Sequence, residues 1–293
     1  MKIQFTKMHA LGNDFMVING VQQKFIADAT LIQQWADRHT GIGFDQLLLV
    51  ETTKNPQADF VYRIFNADGG EVEQCGNGAR CLAKFLHDEK LTEKNPIVVE
   101  TLAGLLELKL ENDGNVTVNL GVPVICSHPF PHPLPGGEGI GNSRRSAQGA
   151  PATEPTFDIG SVALDPTYNP TYIDIGNPHY VLIIDNITNA PVQTLGSELS
   201  NNPYFPNRTN VEFMQIVNSH HIRLRVYERG AGETQACGSG ACAAVIAGRT
   251  LKKLDENVTV DLPGGKLQVS WQGENKPVFL TGPAITVYKG TIP

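Results

Sequence analysis

Two stretches of the chain carry reactive side chains at matching spacing. One reads Phe65-Asn66-Ala67-Asp68-Gly69-Gly70-Glu71-Val72-Glu73-Gln74-Cys75-Gly76-Asn77-Gly78-Ala79, the other Tyr227-Glu228-Arg229-Gly230-Ala231-Gly232-Glu233-Thr234-Gln235-Ala236-Cys237-Gly238-Ser239-Gly240-Ala241. At one offset of 162 positions (75 to 237), Gly70 meets Gly232, Glu71 meets Glu233, and both Cys-Gly-x-Gly-Ala runs superpose. A thiolate is a base and nucleophile, and a thiol is an acid. Inverting a tetrahedral carbon acid, such as the α-carbon of an amino acid, requires removing a proton from one face and delivering one to the other. One fixed base cannot easily serve both faces; two equivalent cysteines can.

The rest of the sequence offers no competing chemistry. No pyridoxal-phosphate lysine motif, Walker A, HExxH, CxxC or strand–GxGxxG–helix unit is evident, so neither a cofactor nor a metal is expected. The cysteines number five, an odd count that suggests free thiols rather than a disulfide framework. Cys81 and Cys242 are expected in the core and Cys126 in a structural role, while His128 and His132 lie in a proline-rich stretch with little claim to a metal.

The elements that position the cysteines are readable from periodicity. Asp59 to Phe65 and His221 to Tyr227 alternate as strands. After each Cys-Gly-x-Gly the pattern turns helical: Ala79, Leu82, Ala83 and Leu86 form one face, and Ala241 to Ala247 is apolar all round, which predicts a wholly buried helix. Segments 96–100, 105–110, 116–120, 258–262 and 266–271 read as strands. Each cysteine then opens a helix, where unpaired N–H groups and the positive dipole end favour an anion. At about 0.3–2 kcal/mol, such an end lowers a thiol pKa by about one unit. The working pair is expected to hold one thiolate and one thiol and to titrate together. The N–H groups of Gly76, Asn77, Gly238 and Ser239 could bind the substrate carboxylate as a double helix-terminus site. Glu71 and Glu233 would brace the loops before the helices, and Arg80 reads as a surface or loop-packing residue.

The duplication extends beyond the cysteine boxes. Gly12-Asn13 matches Gly176-Asn177, Val99-Glu100 and Gly104 match Val260-Asp261 and Gly265, and Gly121 matches Gly282. Two copies in 293 residues predict two similar domains: 1–125 with Cys75 and 172–293 with Cys237, joined by a Pro/Gly-rich connection, 126–171. The expected fold is α+β, two pseudo-symmetric halves, each a mixed or antiparallel sheet curled around a buried central helix, with the active site between them. A net charge of −7 argues against nucleic acid. No signal peptide or membrane span is seen, so a cytoplasmic location without membrane attachment is expected.

These boxes, with Lys7-Met8-His9-Ala10-Leu11-Gly12-Asn13-Asp14-Phe15 and Gly41-Ile42-Gly43-Phe44-Asp45-Gln46, closely resemble the diaminopimelate epimerase family over nearly the whole chain. The resemblance implies cofactor-independent interconversion of LL- and meso-2,6-diaminopimelate, in lysine and peptidoglycan precursor synthesis. It implies Cys75 and Cys237 as proton donor and acceptor, with His179 and Glu228 assisting. It implies Asn13, Gln46, Asn66, Asn177, Asn210, Glu228 and Arg229 as substrate contacts, and a homodimer. Arg229 could grip a distal carboxylate in a bidentate fork, with Asn66 and Asn210 adding amide bonds. Gly70 stands where the family usually has Ser or Thr, and the Ser127–Pro155 stretch is longer than usual. The alternatives are a proline or hydroxyproline racemase of the same superfamily, or a non-catalytic or redox dithiol protein.

Sulfurs that each lie about 3–3.5 Å from one reacting carbon are roughly 6–7 Å apart, whereas a disulfide needs about 2.05 Å. Oxidation of Cys75 to Cys237 therefore requires closure of the cleft and should abolish turnover. Full turnover in a sample verified by mass as oxidised would contradict this.

Overall fold

The computed structural model describes residues 2–73, 75–126, 158–159, 162–163, 168 and 170–293. His128, His132 and Ser127–Pro155 lie outside them.

The chain runs β1 (Ile3–Ala10), β2 (Asn13–Asn19), α1 (Ala29–Ala36), β3 (Gln46–Glu51), β4 (Phe60–Asn66), β5 (Glu71–Val72), α2 (Gly76–Asp88), β6 (Ile97–Thr101), β7 (Gly104–Leu110), β8 (Val116–Asn119) and β9 (Val124–Cys126). The short pair β10 (Asp158–Ile159) and β11 (Val162–Ala163) follows. The second series is β12 (Thr171–Asp174), β13 (Pro178–Ile183), α3 (Thr194–Ser200), β14 (Asn210–Asn218), β15 (His221–Glu228), β16 (Gly232–Glu233), α4 (Gly238–Thr250), β17 (Asn257–Leu262), β18 (Gly265–Trp271), β19 (Val278–Gly282) and β20 (Ile285–Ile292).

Pairing repeats with the sequence. β2 and β3 are parallel, as are β13 and β14. β3–β4 and β14–β15 are antiparallel, and β4–β6 and β15–β17 are parallel. The meander β6–β7–β8 recurs as β17–β18–β19. Even the first turn recurs: Gly12 and Gly176 hold φ of 90° and 87°, a region that glycine enters without a Cβ penalty.

This is the α+β arrangement of two related halves, each wrapped on a helix. Rather than two separate sheets, however, 18 strands among the described residues form one hydrogen-bonded sheet. β8 pairs with β19, β9 with β12, and the last strand β20 with the first, β1. These crossings fix the two halves against each other.

The helices fill the interior. Ala79, Leu82, Ala83 and Leu86 of α2 are fully buried, as are Ala241 to Ala247 of α4. Both helices join one apolar cluster with strands from both halves. Removing a large apolar side chain from water stabilises by about 1.5–3 kcal/mol. The small residues of α4 let its strands approach closely. Gly78 is required for close approach, since a Cβ there would meet the Tyr62 hydroxyl at 2.3 Å. α1 and α3, which periodicity did not single out, cover outer faces through Ile32 and Trp35 and through Leu199.

Candidate active site

Each cysteine caps its helix. Cys75 Sγ accepts from the Gly78 N–H at 3.4 Å, and Cys237 Sγ from the Gly240 N–H at 3.4 Å. Both thiols are free; Cys75 is half-buried and Cys237 buried. The two helix starts face each other: a Cβ on Gly76 or on Gly238 would meet the same Leu280 methyl, at 3.3 and 2.8 Å. Asn77 ties them together, its amide donating to Ala236 O, just before Cys237, at 2.8 Å and to Asn13 Oδ1 at 3.2 Å.

Around this pair the register places a ring of amides. Phe15 lies opposite Gln46, and Gln46 opposite Asn66. In the second half His179 lies opposite Asn210, and Val211 opposite Tyr227, which sets Asn210 beside Glu228. Gln46 Nε2 donates to Asn66 Oδ1 at 2.9 Å, while Gln46 Oε1 is buried without a partner. Asn210 Oδ1 accepts from the Arg229 backbone N–H at 2.9 Å, and its amide donates to Pro178 O at 3.0 Å. Asn177 Nδ2 donates to Ser239 Oγ at 3.4 Å. The Arg229 guanidinium is exposed and donates to Asn207 O at 3.0 Å. Asn13 is oriented by Asp45 at 2.8 Å, which Arg38 joins to Asp14 and through it to Lys7.

Glu71 and Glu233 serve as braces, each gripped by both nitrogens of an arginine fork, Arg63 and Arg225 respectively. Cys81 and Cys242 are fully buried in the core. Cys126 ends β9. No group of three or more His, Cys, Asp or Glu among the described residues is placed to hold a metal ion.

Two expectations need correction. The helix starts do not leave the thiols easier to ionise. Burial, the largest effect, pushes Cys75 up to about 11, with Glu228 adding to it; the N–H groups of Gly78 and Asn77 and the charge of Arg80 oppose it without reversing it. Cys237 is raised well above the ordinary thiol range, again by burial first and then by Glu228 and Glu212, against Ser239 and the Gly240 N–H. Desolvation penalises an anion by more than one helix end returns. Arg80 is not on the surface: it is fully buried and donates to Asn77 Oδ1 at 3.0 Å.

Glu212 was missed. It is fully buried, and its Oε1 lies 2.6 Å from His179 Nδ1, while His179 Nε2 lies 3.1 Å from Asn177 Oδ1. An amide oxygen beside Nε2 calls for a proton there, so one further proton is shared between Nδ1 and Glu212. Burial raises Glu212 and likewise Glu228 above the ordinary carboxylate range, with His179 and Thr234 the leading opposing groups. The repeat held the signal for Glu212. The register equates His179 with Phe15 and Glu212 with Leu48, so a His–Glu pair occupies the place of an apolar pair.

That equivalence makes a test. Removing one member of a buried pair costs about 3–5 kcal/mol, whereas apolar replacement of both is often neutral. Glu212→Ala should lose about 3–5 kcal/mol in urea unfolding, and the double variant His179→Phe/Glu212→Leu, which copies Phe15 and Leu48, should recover most of that loss. A double variant no more stable than Glu212→Ala would contradict the buried-pair reading.

Comparison with known proteins agrees with this architecture. The sequence model of the family described as Diaminopimelate epimerase matches residues 5–126 and 171–287. A diaminopimelate epimerase of Ectopseudomonas mendocina is 49% identical, covering 100% of this chain and 99% of its own, and one of Pseudomonas fluorescens is 47% identical with the same coverage. Among solved structures, a PhzF-family phenazine biosynthesis protein of Bacillus anthracis superposes with a TM-score of 0.69 at 15% identity, covering 100% of this chain and 99% of its own. A hydroxyproline epimerase of Agrobacterium vitis superposes at 0.64 and 16% identity, covering 99% of this chain and 92% of its own. At such identities these two report the fold alone. The full-length sequence matches go further: the chain belongs to the diaminopimelate epimerase family.

Proposed function

We propose that the protein is an isomerase that interconverts LL- and meso-2,6-diaminopimelate without a cofactor, with Cys75 and Cys237 as its two acid/base groups. The observation that carries this reading is the pair of capping cysteines on helix starts joined through Asn77 and packed on one leucine. One sulfur, as thiolate, takes the α-hydrogen: an S–H bond forms, the C–H bond breaks, and its electron pair delocalises into the α-carboxylate. The other thiol gives its proton to the opposite face, leaving a thiolate. The two sulfurs have then exchanged protonation states, and the reverse reaction uses them in the opposite order.

The carboxylate would lie on the N–H groups of Gly76, Asn77, Gly238 and Ser239, where developing charge is stabilised. Glu228, which faces both sulfurs and accepts from the Thr234 hydroxyl, would keep the proton on the Cys237 side when the cleft is unoccupied. Asn13, Gln46, Asn66, Asn177 and Asn210 would hold the rest of the substrate, with the exposed Arg229 fork on the distal carboxylate. His179, backed by Glu212, would fix Asn177.

No helix among the described residues is long and apolar enough to cross a membrane. We place the enzyme in the cytoplasm, where the precursors of lysine and peptidoglycan are made. Ile285, Val287 and Tyr288 of β20 are between 45 and 55% exposed, and such an apolar strand face supports a homodimer.

A proline or hydroxyproline racemase shares the fold, but a substrate with no second polar end would leave Arg229 and the amide ring without a task. Solvent deuterium should enter the α-carbon as diaminopimelate interconverts, and Cys75→Ala and Cys237→Ala should each slow interconversion by about 10²–10⁴-fold. Either variant working at the wild-type rate would end the two-thiol reading. Turnover of proline with diaminopimelate untouched would transfer the protein to the other racemase class.

A further inference from the structure

Arg80 lies on α2, one turn and a half past Cys75, with no exposed surface. Its guanidinium donates to Asn77 Oδ1 at 3.0 Å, to Gly76 O at 3.3 Å and to Pro283 O at 3.4 Å. All three acceptors are neutral oxygens. A Cβ on Gly238 would lie 3.6 Å from its Nη1, so the cation sits between the two helix starts. Burying a charge is costly without an ionic partner. Among the described residues, the ionisable groups that face it are sulfurs: Cys81 first, then Cys75 and Cys242. Burial pulls Arg80 below the ordinary arginine range, but that range lies so high that the side chain stays charged near neutral pH.

The repeat shows where the charge is one-sided. Gly76-Asn77-Gly78-Ala79-Arg80 aligns with Gly238-Ser239-Gly240-Ala241-Cys242, so the first half has a cation where the second has a neutral thiol. Conversely, the second half has His179, Glu212 and Glu228 where the first has Phe15, Leu48 and Asn66. Arg80 is among the groups that face Cys75 and not among those that face Cys237, whereas Glu228 faces both sulfurs and Glu212 faces Cys237 alone.

We infer that Arg80 is a positioning residue that makes Cys75 the thiolate of the working pair and leaves the proton on Cys237, acting by its charge and through the Asn77 amide that ties the helix starts together. The inference rests on the two-thiol reading above and deepens it. The groups facing Cys75 are the N–H donors of Gly78 and Asn77, Arg80, Glu228, the buried Tyr62 phenol and the buried Cys81 thiol. Those facing Cys237 are Glu228, Glu212, the Ser239 hydroxyl and the Gly240 N–H. Of these only Arg80 is a fixed cation, and it acts on the Cys75 side. The planar fork also explains why arginine suits the position: it holds Asn77 Oδ1 and Gly76 O at once.

The test is iodoacetamide alkylation of the full-length protein as a function of pH, read separately at the Cys75 and Cys237 peptides by mass spectrometry. In the wild type the Cys75 midpoint should lie below that of Cys237. Arg80→Gln, which keeps a donor for Asn77, and Arg80→Met should each raise the Cys75 midpoint by about one unit, or about tenfold slower labelling at fixed pH. Neither should move Cys237 by half as much, and the rising limb of kcat/KM should follow Cys75. Thermal melts identify the folded variants, and either one suffices. An unchanged Cys75 midpoint in a folded variant, or a wild-type Cys237 midpoint below that of Cys75, overturns the inference. Labelling needs no turnover, so its result is separate from the alanine variants that decide the two-thiol reading itself.

Discussion

The proposed site depends on setting two sulfur acids at facing helix starts, one half-buried and one buried. In the mechanism we propose, burial lets N–H dipoles and a guanidinium act at full strength on a developing carbanion. The same burial makes each thiolate harder to form, and at Cys75 it outweighs the helix start. The surrounding structure is arranged to manage that opposition. Small residues on α4 and glycines after each cysteine bring backbone N–H groups close. Strands crossing between the halves hold the two helix starts in fixed relation.

In the proposed reaction, duplication supplies the opposed pair of sulfurs, and divergence between the copies supplies direction. A perfect repeat would present the reacting carbon with two identical sulfurs. In this chain one copy keeps an apolar floor of Phe15 and Leu48 under its helix start and adds Arg80; the other replaces that floor with His179 and Glu212 and adds Glu228. The reaction is symmetric in its chemistry, but the resting distribution of protons need not be.

Much of this was legible in the sequence because it rests on local pattern. The cysteine boxes, the strand before each, and the apolar face of each helix follow from residue spacing, and the repeat gave the two-halved α+β fold. Three features depend on packing between distant segments, and so were hidden. The pairing of β20 with β1 joins the two ends of the chain. Arg80 has the look of a surface residue until α4 and Pro283 close over it. Glu212 sits in an apolar run, Val211-Glu212-Phe213-Met214, where only alignment with Leu48 marks it as unusual. The direction of the thiol shifts was missed for the same reason, since the helix end is a local feature whereas desolvation is set by the whole fold.

The central claim is geometric: one carbon lies between two sulfurs on opposite faces. A crystal structure with α-methyl-diaminopimelate, which has no α-hydrogen to lose, tests it most directly. The α-carbon should lie between Cys75 Sγ and Cys237 Sγ, each about 3–3.5 Å away, with the carboxylate on the N–H groups of both helix starts. A bound analogue with both sulfurs on one face of the α-carbon, or with either sulfur beyond reach of it, would contradict the two-sided mechanism.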